Sequence, residues 1–369
     1  MVSPQSGRTT FAYDLAGRES VKRLANGARV TQVYDASGRV RGMITADAAV
    51  GLVRRLTYTF DAAGRRLVQL ASDGSRTSWT YDAAGQLGRE LRTGANAIAV
   101  THAYDPAGNR TLQIDVGTRT TFAFDAGNQL TVQRTGAART TYQYDASGNR
   151  TQQDAPAETT YYAWDAHNRM VSAEPMAGKV TFAYDGTGRR VLKESPSNSV
   201  RFVWDYEKVL QEADGSGTTD QQYLATDQQF GDLVSAYGKG SSKYYGFDAL
   251  GSTELLLDGT GSVADRYAYR AYGLAAQTSG TDANPYSWIG KQGYRIDNET
   301  GLYLMGAGNE GRFYDPQTAQ FLSKDPLEYD GRDPNLYLYC SNDPINNFGS
   351  SRNPVGDFLQ FRQMAGQDF

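Results

Sequence analysis

Ten aspartates between residues 14 and 205 stand directly behind an aromatic residue, after Tyr13, Tyr34, Phe60, Tyr81, Tyr104, Phe124, Tyr144, Trp164, Tyr184 and Trp204. Carboxylates in number could activate water, protonate a carbonyl or hold a metal ion. The residues that such chemistry needs beside them are scarce. His102 and His167 are the only histidines and Cys340 is the only cysteine. That excludes a histidine-rich metal site and an intramolecular disulfide. No phosphate-binding G-x-x-x-x-G-K, nucleophile G-x-S-x-G or zinc-binding H-E-x-x-H occurs. Asp214-Gly215-Ser216-Gly217 lacks the spaced ligands of a calcium loop. The sequence therefore predicts neither metal nor cofactor. His102 stands where other units carry a ring and reads as a packed core residue; His167 falls in a turn and reads as solvated.

The spacing assigns these aspartates to architecture. Successive aromatic–Asp pairs lie 21, 26, 21, 23, 20, 20, 20, 20 and 20 residues apart. A second ring stands two positions earlier in eight of the ten units: Phe11, Tyr58, Trp79, Phe122, Tyr142, Tyr162, Phe182 and Phe202. A spacing of two puts both rings on one face of a strand. The aspartate can accept a hydrogen bond from a backbone N–H two residues on and so start a turn. Glycine at the third position after it (Gly17, Gly38, Gly64, Gly108, Gly148, Gly188) tolerates positive φ. The turns at 124–130 and 164–170 read as one residue shorter, with Asn128 and Asn168 in the left-handed position. A basic residue (Arg18, Arg39, Arg65, Arg110, Arg150, Arg169) then begins the return strand. Second turn signals fall midway, at Asn26-Gly27, Asp73-Gly74, Thr135-Gly136, Ala177-Gly178 and Asp214-Gly215. Each unit is thus two short strands and two turns. One hairpin cannot bury its ring face alone, so the units must stack into a long twisted sheet.

Composition agrees. The 369 residues include 25 Tyr, 14 Phe, 4 Trp and 40 Gly, which favours strands and turns. With 37 basic and 41 acidic residues the net charge is −4, against a general nucleic-acid binder. No apolar run reaches membrane-spanning length, and MVSPQSGRTT has no signal-peptide core, so neither a transmembrane segment nor a signal peptide is expected.

The stretch TYQYDASGNR, repeated with a period near 20, resembles the YD repeats of the Rhs family, which includes bacterial polymorphic toxins, C components of Tc toxins and teneurins. Residues 244–273 resemble the family segment with a D-x-L-G-S turn, and 289–304 its G-K…E-T-G-L-Y stretch. Residues 312–348, RFYDPQTAQFLSKDPLEYDGRDPNLYLYCSNDPINNF, resemble the Rhs-associated core motif. The resemblance implies an all-β protein. YD repeats in a spiralled, curved sheet would fill 8–225, an Rhs-associated core domain 226–350, and a short tail 351–369, read as the start of a truncated toxin. Residues 206–243 break the period and read as the transition, with longer loops.

In many family members the core domain is an aspartyl autoprotease that cuts behind its own motif and leaves a toxin loose inside a hollow shell. One of its two aspartates maps onto Asp325 in Ser323-Lys324-Asp325-Pro326. The other should fall near 349, where this chain has Gly349-Ser350-Ser351. Glu328, Ala319-Gln320 and a small insertion at 306–311 also depart from the pattern. Asp343 is the nearest other acid but is off register. Asp325 is therefore the only catalytic candidate, and self-cleavage is expected to be impaired.

Two function classes follow. The first is the β-shell of a secreted toxin, enclosing or displaying a C-terminal effector, with secretion-system components and an immunity protein as partners. The second is a cell-surface module that binds sugars or proteins through exposed rings. They differ in whether the rings face in or out.

Overall fold

The computed structural model describes residues 1–3, 5–227, 232–306, 308, 311–327 and 333–349. Among these there is no α-helix. Twenty-six strands, from β1 (Thr10–Tyr13) to β26 (Ala275–Ser279), form one antiparallel sheet in which each strand pairs with its neighbours in sequence. The meander continues past residue 225 without changing sheet, through strands 208–214, 219–225, 233–238 and 241–247. A second sheet has four short strands, β27 (Arg295–Asp297), β28 (Leu302–Met305), β29 (Arg312–Asp315) and β30 (Gln320–Phe321).

The large sheet coils back on itself. Asn26 Nδ2 donates to the Asp258 carbonyl at 2.8 Å. Arg54 Nε meets Glu254 at 3.1 Å, across 200 residues of chain. Leu24 and Ala28 share an apolar cluster with Val234, Tyr244, Leu255 and Leu257.

The turns build this curvature. The turn aspartates from Asp14 to Asp185 each close their own loop, as Asp35 Oδ1 does by accepting from the N–H groups of Ser37 (2.9 Å) and Arg39 (3.0 Å), whereas Asp205 pairs with Lys208 within the ladder. Gly38 takes φ +81°. Asn128 and Asn168 do take the left-handed position, with φ +60° and +58°. Their turns are not shorter, however. Asp125 N donates to Gln129 O and Asp165 N to Arg169 O, as Asp145 N does to Asn149 O, so asparagine simply occupies the glycine position. In the 214–218 turn the left-handed residue is Gly217, not Gly215.

Behind every such turn the register slips by one residue. In one repeat Gln143 faces Gln152, yet Tyr144 faces Arg150. The same bulge follows Tyr34, Phe60, Tyr81, Phe124, Trp164 and Tyr184. A bulge sharpens twist and removes backbone groups from the ladder. The freed carbonyl is taken by the next repeat. Tyr34 Oη donates to Glu19 O, Tyr81 to Arg66 O, Trp164 Nε1 to Arg150 O, Tyr184 Oη to Met170 O and Trp204 Nε1 to Arg190 O, all at 2.7–2.8 Å. In each pair the acceptor is the fifth residue after the preceding aspartate. In these repeats the Tyr or Trp before Asp supplies that donor; Phe60 and Phe124, at the same position, carry none.

The rings two positions earlier point inward and are buried, among them Tyr58, Trp79, Phe122, Tyr142, Tyr162, Phe182 and Phe202. The residues between, such as Thr80, Ala123 and Gln143, are exposed. Replacing Tyr184 by Phe keeps the ring but orphans the Met170 carbonyl. We expect a loss of about 1 kcal/mol in denaturant-induced unfolding, with circular dichroism unchanged in the folded protein.

Candidate functional site

The inside of the coil is filled by the chain that follows the large sheet. Trp288 lies at its centre, with ring centroids of Tyr294, Tyr303, Tyr314 and Tyr339 at 6.0, 5.5, 5.6 and 5.3 Å. Tyr162, Met170, Val180 and Phe182 of the wall pack against Leu302, Leu304, Phe313 and Leu322. Trp79 and Leu87 pack with Ala319 and Ile345. The described residues between 282 and 349 thus form a plug seated on the ring-lined wall.

Polar hooks fix its position. Arginines at the fifth position after the turn aspartate point inward. Arg150 is fully buried and its Nη1 lies 3.0 Å from Asp315 Oδ2. Arg110 Nη2 donates to Gln317 O at 2.9 Å, and Arg66 Nη1 donates to Ile345 O. The bulge N–H groups point the same way: Arg150 N donates to Leu322 O, Thr253 N to Ser287 O, and Arg66 N to Asn346 Oδ1, each at 2.8 Å. From the plug, Asn342 Nδ2 reaches Gly108 O (2.7 Å), Asn335 Nδ2 reaches Asn109 Oδ1 (2.7 Å) and Tyr337 Oη reaches Gly148 O (2.8 Å). The asparagines and tyrosine of the N-L-Y and N-x-P-x-N segments therefore bind the turns of particular repeats.

Sequence reasoning grouped all post-turn arginines together, and the structure separates them. At the fourth position Arg18, Arg39, Arg65 and Arg169 stay on their own aspartate and cover the next repeat's ring, 4.3–4.9 Å from its centroid. At the fifth, Arg66, Arg110, Arg150 and Arg190 go inside. The offset from the aspartate was the available signal.

Asp325 sits on the plug. Its Oδ2 accepts from Arg312 Nη2 at 2.7 Å and its Oδ1 from Leu327 N at 2.9 Å. Arg312 is buried over the Phe321 ring, 3.6 Å from its centroid, and also donates to Leu336 O. Burial pulls Arg312 down to about 10, partly offset by Asp325. Both oxygens of Asp325 are thus engaged by donors, in the manner of a turn and an anchor. No second carboxylate is hydrogen-bonded to it among the described residues. Asp343 is held by Asn346 Nδ2 at 2.7 Å and raised by burial, and shares no partner with Asp325. Gly349 is half-buried and its carbonyl accepts from Tyr294 Oη at 2.5 Å. Glu328, part of the 306–311 insertion and the 350–369 tail lie outside the described residues. His102 packs edge-on against Tyr272, 5.2 Å away, and burial pushes it well down; His167 is exposed.

A family model, the teneurin YD-shell, matches residues 66–345. The chain belongs to that family. Two curated relatives are the tRNA3(Ser)-specific nuclease WapA of Bacillus spizizenii, 32% identical, and the tRNA nuclease WapA of Bacillus subtilis strain 168, 31% identical, each over 142 residues. Those matches cover 38% of this chain and 6% of the relatives' length. Among solved structures, the crystal structure of TcdB2-TccC3-Cdc42 superposes with a TM-score of 0.50 at 18% identity. It covers 97% of this chain and 22% of the other, and shows a common fold. The YD-shell fold, with its Rhs-type repeats, is what the repeat spacing led us to expect.

Two outcomes follow. Arg150→Met strands the buried Asp315 carboxylate and should cost about 3–5 kcal/mol of stability; adding Asp315→Asn in the same chain should recover part of it. Asp248, in the D-x-L-G-S turn, is raised to about 6 by burial and by Glu254, despite accepting from Leu250, Gly251 and Ser252 N–H groups. A raised carboxylate stabilises the fold only while protonated, so this contribution is full below its unfolded value of 3.8 and is lost as pH climbs through about 6. Unfolding free energies measured from pH 4 to 7 should fall less steeply in Asp248→Asn.

Proposed function

We propose that this chain is the plugged end of the β-shell of a secreted polymorphic toxin. The plug seated inside the ring-lined coil carries this reading: a wall whose apolar face is turned inward is built to enclose. Rings facing in disfavour the surface-binding alternative. The family match and the Tc-toxin and WapA likenesses support it, although the chain spans only a small part of those proteins. In this reading the YD-repeat region passes near residue 226 into the core domain, which comprises the last strands of the large sheet and the plug; the effector follows the plug, and export machinery and an immunity protein act on the whole. The relatives' tRNA nuclease names suggest a nucleic-acid-cutting effector carried elsewhere than in this acidic shell.

The plug's autoprotease is impaired in this reading. Aspartyl chemistry needs two carboxyls, one to protonate the carbonyl and one to activate water. Asp325 is tied to Arg312, and Gly349 supplies no carboxyl. Intact mass of purified protein should show one full-length species. Gly349→Asp should restore a cut near 350, and Asp325→Asn in that background should abolish it, with near-ultraviolet circular dichroism confirming that the plug stays packed. Wild-type cleavage near 350 would sink the impairment.

A further inference from the structure

Four arginines occupy the inward slot behind the turns, and one of them stands apart. Arg66, Arg110 and Arg150 each reach an acceptor on the plug. Arg190 does not. It is 2% exposed, and its Nε and Nη1 meet no hydrogen-bond partner. The nearest carboxylate oxygen, Asp297 Oδ2, is 3.8 Å from Nη1 and already pairs with Lys193 at 3.0 Å. Nearby Arg295 is matched by Glu212, and Lys208 by Asp205. Burial consequently pulls Arg190 below its usual range, with Asp297 only partly compensating and Arg295 adding repulsion.

Arg190 opens on a cleft between the wall and the plug with about 40 Å³ of room. Phe202, Trp204 and Tyr286 wall it, Lys208, Arg295 and one carboxylate, Glu207, also border it, and Gly293 and Gln292 line its plug side. The Arg190 guanidinium carbon lies 5.1 Å from the Phe202 centroid, and Arg295 covers the same ring at 4.7 Å.

We propose that this cleft binds a small monovalent oxyanion, a short-chain carboxylate, on Arg190. A planar guanidinium with unpaired donors matches a carboxylate in geometry. The room equals about three water molecules, enough for a carboxyl group with a short apolar tail. The aromatic walls favour such a tail, and the Glu207 carboxylate on the same cleft disfavours a dianion's second charge, since Lys208 and Arg295 already have acidic partners. A buried cation left unsatisfied is costly, and the bound anion removes that cost.

The test uses the full chain titrated with sodium propionate against sodium chloride at equal ionic strength. The readouts are thermal melting and tryptophan fluorescence, which Trp204 reports from the cleft wall. Propionate should raise the melting temperature and change the fluorescence saturably; sodium phosphate at pH 8 should act at least about tenfold more weakly. Arg190→Gln should abolish saturable binding. Gly293→Asn gives a second check should that variant fold poorly. Gly293 sits at φ +86° with open space where a Cβ would go, and asparagine tolerates that conformation. Its side chain would occupy the cleft, and binding should weaken at least about tenfold with Arg190 intact. No saturable response in the wild type, or binding unchanged in Gly293→Asn, overturns the proposal.

Discussion

The single-residue bulge behind each turn is the constraint on which the rest of this structure depends. A plain antiparallel hairpin satisfies its backbone within the pair and leaves nothing to hold the next one at a fixed angle. Slipping the register by one residue frees an N–H and a C=O in every unit. Buried, those groups must find partners. In six repeats the carbonyl takes a Tyr or Trp donor from the following repeat, as Arg150 O does from Trp164. The N–H is left for whatever lies inside, as Arg150 N is for Leu322 O. Repeat-to-repeat geometry and wall-to-plug geometry thus come from the same residue.

Charge follows the same division. Outward of the bulge, arginines such as Arg39 lie on a half-exposed aspartate and cover a neighbouring ring, each pair contributing little. Inward, Arg150 and Arg190 are removed from water, and each needs a dedicated acceptor. Asp315 provides one. Asp325 does the same for Arg312 within the plug. The carboxylate that the family resemblance marks for chemistry is therefore also structural in this chain.

Much of the fold was legible in the sequence because it is written in local terms. Ring alternation, turn aspartates and positive-φ glycines or asparagines act within ten residues, and the 20-residue period adds them up. Turn length at 124–130 was misjudged because asparagine was not aligned with glycine at the third position. The 206–243 stretch hid its strands, since its loops change length while the pairing continues. The destinations of Arg150, Asn342 and Tyr337 were not legible, because their partners lie 165 to 234 residues away along the chain. The engagement of Asp325 by Arg312 was closer, 13 residues off. It still depends on how the plug strands pair rather than on any short-range spacing.

Each strand of the large sheet pairs with the strand made just before it, so the wall can assemble in step with synthesis, one hairpin at a time. The plug is different. Its asparagine and tyrosine hooks emerge from the ribosome only after the repeats they bind are complete. The wall therefore acts as a template on which this later-made segment condenses. Seating of the plug follows assembly of the wall, and that order is set by the direction of translation rather than by any moving part.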